Sequence, residues 1–270
     1  RAGAVRQPAA ADELQGRAPG TDGDIKARKF LSQKFYDMWI GRFSFGYEQL
    51  FTIPSDIKIS EKTSVTIGEK NLRLDFDYRP FIFGSEGTAQ APLIFVGKSV
   101  EETTTDISGK VVLAYFELAE NKLPTYRDVI NQVISARDKG ALALIFAMQK
   151  DYGDGIEFFP FEFSRSVAHV GLPVVQISRE YFHSLTASVG ISISKVRKIS
   201  CEKINKMLNA PNVNLVVEYE RISTQTANIA GLIEGNKSNE WIVVGAHYDH
   251  LGLGGPGSGS REPDSKAVHN

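Results

Sequence analysis

The sequence predicts an α/β fold with a mixed sheet, and three stretches carry that prediction. The middle of the chain holds a strand, helix and strand in close order, at residues 110–116, 125–139 and 141–148. Near the start lies an amphipathic helix that needs a partner surface. Towards the end, residues 241–244 (Trp-Ile-Val-Val) have the apolar, β-branched or aromatic composition of a strand buried on both faces. With 42% apolar and 23% charged residues among 270, the chain can build a real core in one or two domains.

Taken in order, residues 1–75 begin loosely, with Ala, Gly and Pro through Gly23. Asp22 or Asp24 can then cap a helix running to about Ile40. Ala27, Leu31, Phe35 and Met38 fall on one stripe with Phe30 beside it, while Lys26, Lys29 and Lys34 take the wet side. Residues 47–53 and 63–67 alternate apolar and polar and are expected as strands.

Residues 76–197 show the β and α succession. Strands are expected at 91–96 and 110–116, with Ser108-Gly109 turning into the second. The helix at 125–139 carries Val129, Ile130, Val133, Ile134 and Ala136 as its apolar positions, and Gly140 is placed to end it in the left-handed conformation. The buried strand 141–148 follows at once. After a loop rich in Gly, Asp and Phe come a strand at 172–177 and a short helix capped by Ser178. Strand, helix and strand in this order suggest a crossover within one small α/β domain. No catalytic constellation stands out here. His169 and His183 lack acidic or cysteine partners at ligand spacing and are expected to be structural. Phe158, Phe159, Phe161 and Phe163 form either a binding surface or the lid of a local core, and packing is the favoured reading.

Residues 198–270 resume a different pattern, with strands expected at 213–219 and 226–235. A polar loop at 236–240 then leads into the strand at 241–244, as a hairpin on the edge of a larger sheet.

Charge narrows the partners. The net charge is −1 with no block of like charges, so neither nucleic acid nor an anionic membrane is expected. The longest apolar run, 141–148, is too short to span a bilayer. The chain starts at Arg1, which suggests a leading segment already removed. Its single cysteine, Cys201, excludes an internal disulfide and a cysteine-based zinc site, and is expected to be a small core or surface thiol.

The candidate chemistry lies just after residue 244. Gly245 and Ala246 remove side-chain bulk, and His247 and Asp249 follow two residues apart. In extended chain that spacing puts both side chains on one face. The Asp249 carboxylate can then orient the imidazole of a metal-bound His247. The plain alternative for His247 is a surface-loop histidine.

At this point a family resemblance becomes specific. Asn228-Ile-Ala-Gly231-Leu-Ile-Glu234-Gly235, followed by Gly245-Ala-His247-Tyr-Asp249-His-Leu-Gly252, resembles the opening of the co-catalytic zinc aminopeptidases. That clan includes secreted leucyl-type aminopeptidases, glutamate carboxypeptidases and the transferrin-receptor ectodomain. Gly16-Arg17 before a capped helix resembles the family's N-terminal Gly-Arg turn. Ser108-Gly-Lys-Val-Val-Leu113, the Ala-Arg-Asp-Lys-Gly-Ala stretch at 136–141 and Gly171-Leu-Pro-Val-Val175 resemble the protease-associated domain that many members insert. The resemblance implies an α/β/α zinc-exopeptidase sandwich, incomplete here, with an inserted α+β protease-associated domain. It assigns 1–75 to the N-terminal segment of the peptidase domain, 76–197 to the insert, and 198–270 to the first strands of the catalytic domain.

The same resemblance implies two zinc ions per complete site, His247 as the first zinc ligand and Asp249 as its orienting carboxylate. His250 is expected to be a solvent-exposed loop residue. The bridging carboxylate, the base and the other ligands would follow Asn270, so the chain is expected to be a truncated, inactive view of a longer enzyme. The implied parent is a secreted or periplasmic aminopeptidase acting on peptides. The alternatives are a receptor-like or peptide-binding relative without metals, and an independent product whose unpaired strand is covered by dimerisation.

Overall fold

The computed structural model describes residues 12–115, 126–147, 158–163, 169–236, 240–254 and 268. The parts of the expected loops at 151–157, 164–168, 237–239 and 255–260, and His269 with Asn270, lie outside the described residues. The protein is a mixed α/β molecule of two compact units. One takes residues 1–57, 162–166 and 221–270, the other 58–161 and 167–220.

The larger unit is organised around an eight-stranded mixed sheet. Its strands are β2 (Ser64–Ile67), β3 (Lys70–Asn71), β4 (Tyr78–Pro80), β5 (Gly87–Gly97), β6 (Val111–Tyr115), β7 (Ala143–Ala147), β8 (Val174–Ile177) and β9 (Asn212–Val217), in the order β3-β2-β9-β5-β6-β7-β8-β4. The four central strands β5 to β8 are parallel, and antiparallel strands close both edges. Every residue of β6, β7 and β8 is buried, as parallel strands covered on both faces require. The helix α2 (Tyr126–Asp138) makes the β6–β7 crossover and buries Val129, Val133 and Ala136. Gly140, at φ +80°, ends it, and the Ala141 N–H bonds back to the Ala136 carbonyl at 3.0 Å. Ser178 caps α3 (Arg179–Ala187) by accepting from the Tyr181 N–H at 3.1 Å. The sheet also takes in β2, β3 and β9, which lie outside 76–197.

Two amide side chains, one buried and one half-buried, act as substitutes for a strand partner. Gln176, fully buried, accepts from the Phe159 N–H at 2.8 Å and donates to the Phe159 carbonyl at 3.2 Å. Asn205, on α4 (Cys201–Leu208), does the same for Phe95 at 2.8 and 2.9 Å. The first pair seats Phe158 and Phe159 in the core, where Phe81 stacks near Phe83 and Phe159. These two phenylalanines are therefore packing residues. His183 is exposed, and His169 lies with Nδ1 3.2 Å from the Gly84 carbonyl.

In the smaller unit, α1 (Asp22–Asp37) is followed by β1 (Glu48–Ile59), which pairs with β10 (Tyr219–Ile229) in a two-stranded sheet. The cap of α1 is Thr21, whose hydroxyl accepts from the Asp24 N–H at 3.4 Å, rather than Asp22 or Asp24. The buried flank of the helix runs through Asp24, Ala27 and Arg28, and Met38 lies past its end and exposed. The apolar stripe expected through Met38 thus gives way to a flank carrying two charged residues, because that flank meets polar partners.

A second expectation is corrected in this unit. Residues 241–244 are not a buried strand: Trp241, Ile242, Val243 and Val244 are 71–92% exposed, and no strand pairs with them. The expected hairpin does not form, since β10 takes β1 as its partner. Among the described residues nothing lies alongside this segment to cover its side chains or satisfy its backbone, so its composition has no sheet to act on.

Candidate functional site

The segment around His247 is held by two anchors, both from the start of the chain. The first is the turn before α1. Gln15, Gly16 and Arg17 all have positive φ, at 49°, 65° and 55°. For a residue with a Cβ this conformation is uncommon and costs about 1–3 kcal/mol, so surrounding contacts must enforce it. Here Arg17 Nε donates to the Tyr248 carbonyl at 2.7 Å. The Arg17 carbonyl accepts from the His250 N–H at 3.2 Å, and the Gly16 carbonyl from the Gly252 N–H at 3.0 Å. The Gly-Arg turn and residues 248–252 are therefore laced together. Gly252 sits at φ +83°, and a Cβ there would lie 2.8 Å from the Ala18 Cβ.

The second anchor is Asp24, whose surface is wholly buried. Its Oδ2 accepts from the Gly20 N–H at 2.9 Å and the Thr226 hydroxyl at 3.0 Å, and lies 3.4 Å from Arg28 Nε. Its Oδ1 lies 2.7 Å from the Tyr248 phenol, which also lies 2.7 Å from the Ala227 carbonyl. One phenolic proton thus sits between two acceptors. Burial pushes the Tyr248 hydroxyl up to about 12, so it stays protonated and able to donate. Arg28 is held in turn by Glu48, with Nη1–Oε2 at 2.8 Å. A buried carboxylate surrounded by donors is the arrangement that makes burial of its charge tolerable.

Tyr248 then sets the facing of its neighbours. With Tyr248 turned inward to Asp24, His247 and Asp249 turn outward together. His247 Nδ1 lies 3.1 Å from Asp249 Oδ1. An ionised carboxylate only accepts, so the proton of the neutral ring belongs on Nδ1 and the Nε2 lone pair is left free. The His247 side chain is 91% exposed, so that lone pair is open to a ligand.

The sequence placed His247 and Asp249 together, and they are together. It missed Asp24, Tyr248 and Arg17 as the residues that hold them. The signal was a tyrosine between two outward-facing ligand-type residues, which in extended chain must point the other way. Zinc chemistry suits Nε2 of a histidine whose Nδ1–H is held by a carboxylate. One donor is not a site, however, since zinc takes three or four protein ligands. Among the described residues no three His, Cys, Asp or Glu side chains converge to hold a metal ion. His250 is exposed, and its Nδ1 accepts from the Leu251 N–H at 2.7 Å. Cys201 lies half-buried in the other unit, with burial pushing its thiol up.

No protein-family model and no curated protein sequence matches this chain. Solved structures do. An aminopeptidase from Aneurinibacillus sp. strain AM-1 is 14% identical with a TM-score of 0.42, over 82% of this chain and 47% of its own. BSAP, a zinc aminopeptidase from Bacillus subtilis, is 16% identical with a TM-score of 0.38, over 91% of this chain and 50% of its own. A psychrophilic subtilisin-like protease, Apa1, from Pseudoalteromonas sp. AS-11 is 12% identical with a TM-score of 0.33, over 68% and 36%. The chain spans about half the length of the two aminopeptidase structures it matches. Among the described residues, no helix is long and apolar enough to cross a membrane.

Proposed function

We propose that this chain supplies the first metal ligand, and the carboxylate that orients it, to a zinc-dependent exopeptidase that removes N-terminal residues from peptides. One observation carries the reading: His247 Nδ1 lies 3.1 Å from Asp249 Oδ1, with Nε2 free and open to solvent. The motif resemblance around Gly245–Gly252 supplies the reaction class. Zinc, where bound in such a pair of sites, acts as a Lewis acid and makes a coordinated water acidic. In this chain His247 holds the metal, Asp249 fixes the tautomer, and Asp24, Tyr248 and Arg17 hold the backbone between them. A secreted or periplasmic setting, peptide substrates and the protease-associated character of residues 76–197 belong to the same proposal.

The second reading is a peptide-binding relative without catalysis, and one observation favours it: the described residues bring no three donors together. In the proposed complete enzyme, hydrolysis of aminoacyl chromogenic substrates tests the choice, with zinc supplied and then chelated. Activity is expected to vanish on chelation, to return with zinc, and to be absent from His247→Ala. Cleavage that survives either treatment overturns the zinc reading. Zinc bound at His247 with no cleavage of any peptide would leave the binding reading in its place.

A further inference from the structure

We infer that Asp24 and Tyr248 are positioning residues for His247, acting as a buried latch that selects the metal-binding tautomer of its imidazole. The inference rests on the proposed role of His247 and Asp249, and adds a residue more than two hundred positions away to that site. Asp24 touches neither His247 nor Asp249 by any bond found here; it acts through Tyr248.

An exposed dyad needs its two side chains held to the same side. In water, the hydrogen bond between a solvent-facing His247 and Asp249 competes with hydration, and two side chains on mobile backbone gain little from it. Neutral imidazole in water favours the tautomer protonated at Nε2, which has no lone pair there for a metal. The bond to Asp249 reverses that choice, and it forms only while both residues face the same way. Nothing in residues 245–250 imposes this locally, since no strand pairs with them.

Tyr248 imposes it from the side. Its phenol is fixed at both acceptors, Asp24 Oδ1 and the Ala227 carbonyl, each at 2.7 Å, while its own carbonyl is gripped by Arg17 Nε at 2.7 Å. Side chain and main chain of one residue are thus held by groups from α1, β10 and the preceding turn. Rotation about the 247–249 backbone would separate the dyad, and that rotation requires breaking these bonds. Asp24 is itself immobilised by Gly20 and Thr226. The chain of cause runs from a buried carboxylate, to a phenol, to a backbone angle, to the proton on a ring nitrogen.

The test reads that proton. Long-range ¹H–¹⁵N correlation spectra of the chain, recorded without metal at a fixed pH above the titration of imidazole, report which nitrogen of His247 is protonated. The wild-type chain is expected to show His247 mainly protonated at Nδ1. Tyr248→Phe, which keeps the ring and removes the hydroxyl, is expected to shift the majority to Nε2. Asp24→Asn, which keeps the shape and removes the charge, is expected to do the same. His169 and His183 serve as references that should not move. A merely structural role for the latch would change stability and leave the His247 tautomer alone, so unchanged spectra in both variants overturn the inference while the zinc reading stands. A wild-type His247 mainly protonated at Nε2 removes the dyad itself, and the proposed function falls with it. Should Asp24→Asn fail to fold, Tyr248→Phe decides alone.

Discussion

Replacing Asp24 with alanine removes the acceptor shared by Gly20, Thr226 and Tyr248 and leaves Arg28 buried beside an empty space. Each hydrogen bond to a charged group contributes about 1.5–3 kcal/mol, so a simple sum over three donors overshoots. Thr226 and Tyr248 can each find a second acceptor, and Tyr248 already has one in the Ala227 carbonyl. The better guide is the cost of removing one partner from a buried charge pair, about 3–5 kcal/mol. Arg28 keeps Glu48, which places the expected loss towards the lower end of that range. With a urea dependence near 2 kcal/mol per molar, the midpoint of the smaller unit should fall by about 1.5–2 M. Trp39 and Trp241, the two tryptophans, are both largely exposed and report poorly on burial. Amide exchange of α1 across a urea series is therefore the assay. Tyr248→Phe is expected to cost about 1 kcal/mol in the same assay. A loss below about 1 kcal/mol for Asp24→Ala would refute the view that this carboxylate organises the unit.

Two further outcomes follow from the geometry. Gly252→Ala should loosen the lacing of residues 248–252 to the Gly-Arg turn and cost about 1–3 kcal/mol, because φ is +83° there and the new methyl meets Ala18 at 2.8 Å; amide exchange at Gly252 and His250 unchanged from wild type would contradict it. In the larger unit, the Arg73 guanidinium hydrogen-bonds the nearly buried Asp77 carboxylate at 2.9 Å and holds it below the usual carboxylate range. A folded pKa below the unfolded one means that this stabilisation is complete above about pH 4 and is lost as pH falls through the folded value. Melting temperatures of the larger unit recorded from pH 6 down to pH 2.5 should therefore fall less steeply for Asp77→Asn than for wild type; parallel curves would show that the pair does not contribute.

The elements of the larger unit were legible where local chemistry sets them. Gly140 ends α2, Ser178 caps α3, and the uninterrupted apolar composition of residues 143–147 marks a strand covered on both faces. The smaller unit was less legible because its contacts join residues about two hundred positions apart. No periodicity tells that β1 pairs with β10, or that Asp24 faces Tyr248 rather than capping its own helix. Residues 241–244 show the limit most plainly. Their composition describes a buried strand, yet burial depends on a neighbour, and none lies beside them among the described residues. At the candidate site, the two-residue spacing of His247 and Asp249 allows them to share a face, but what holds them there was not legible in the spacing. Alternation along extended backbone sends Tyr248 inward, but its partner could only be seen in three dimensions.

Whether His247 offers Nε2 to zinc is decided by titrating the ¹⁵N-labelled chain with zinc while following the imidazole nitrogens of its five histidines. His247 is expected to respond first and through Nε2, Asp249→Asn to weaken the response by about 10- to 100-fold, and His247→Ala to abolish it. A first response at His183 or His250, or at His247 through Nδ1, would contradict it.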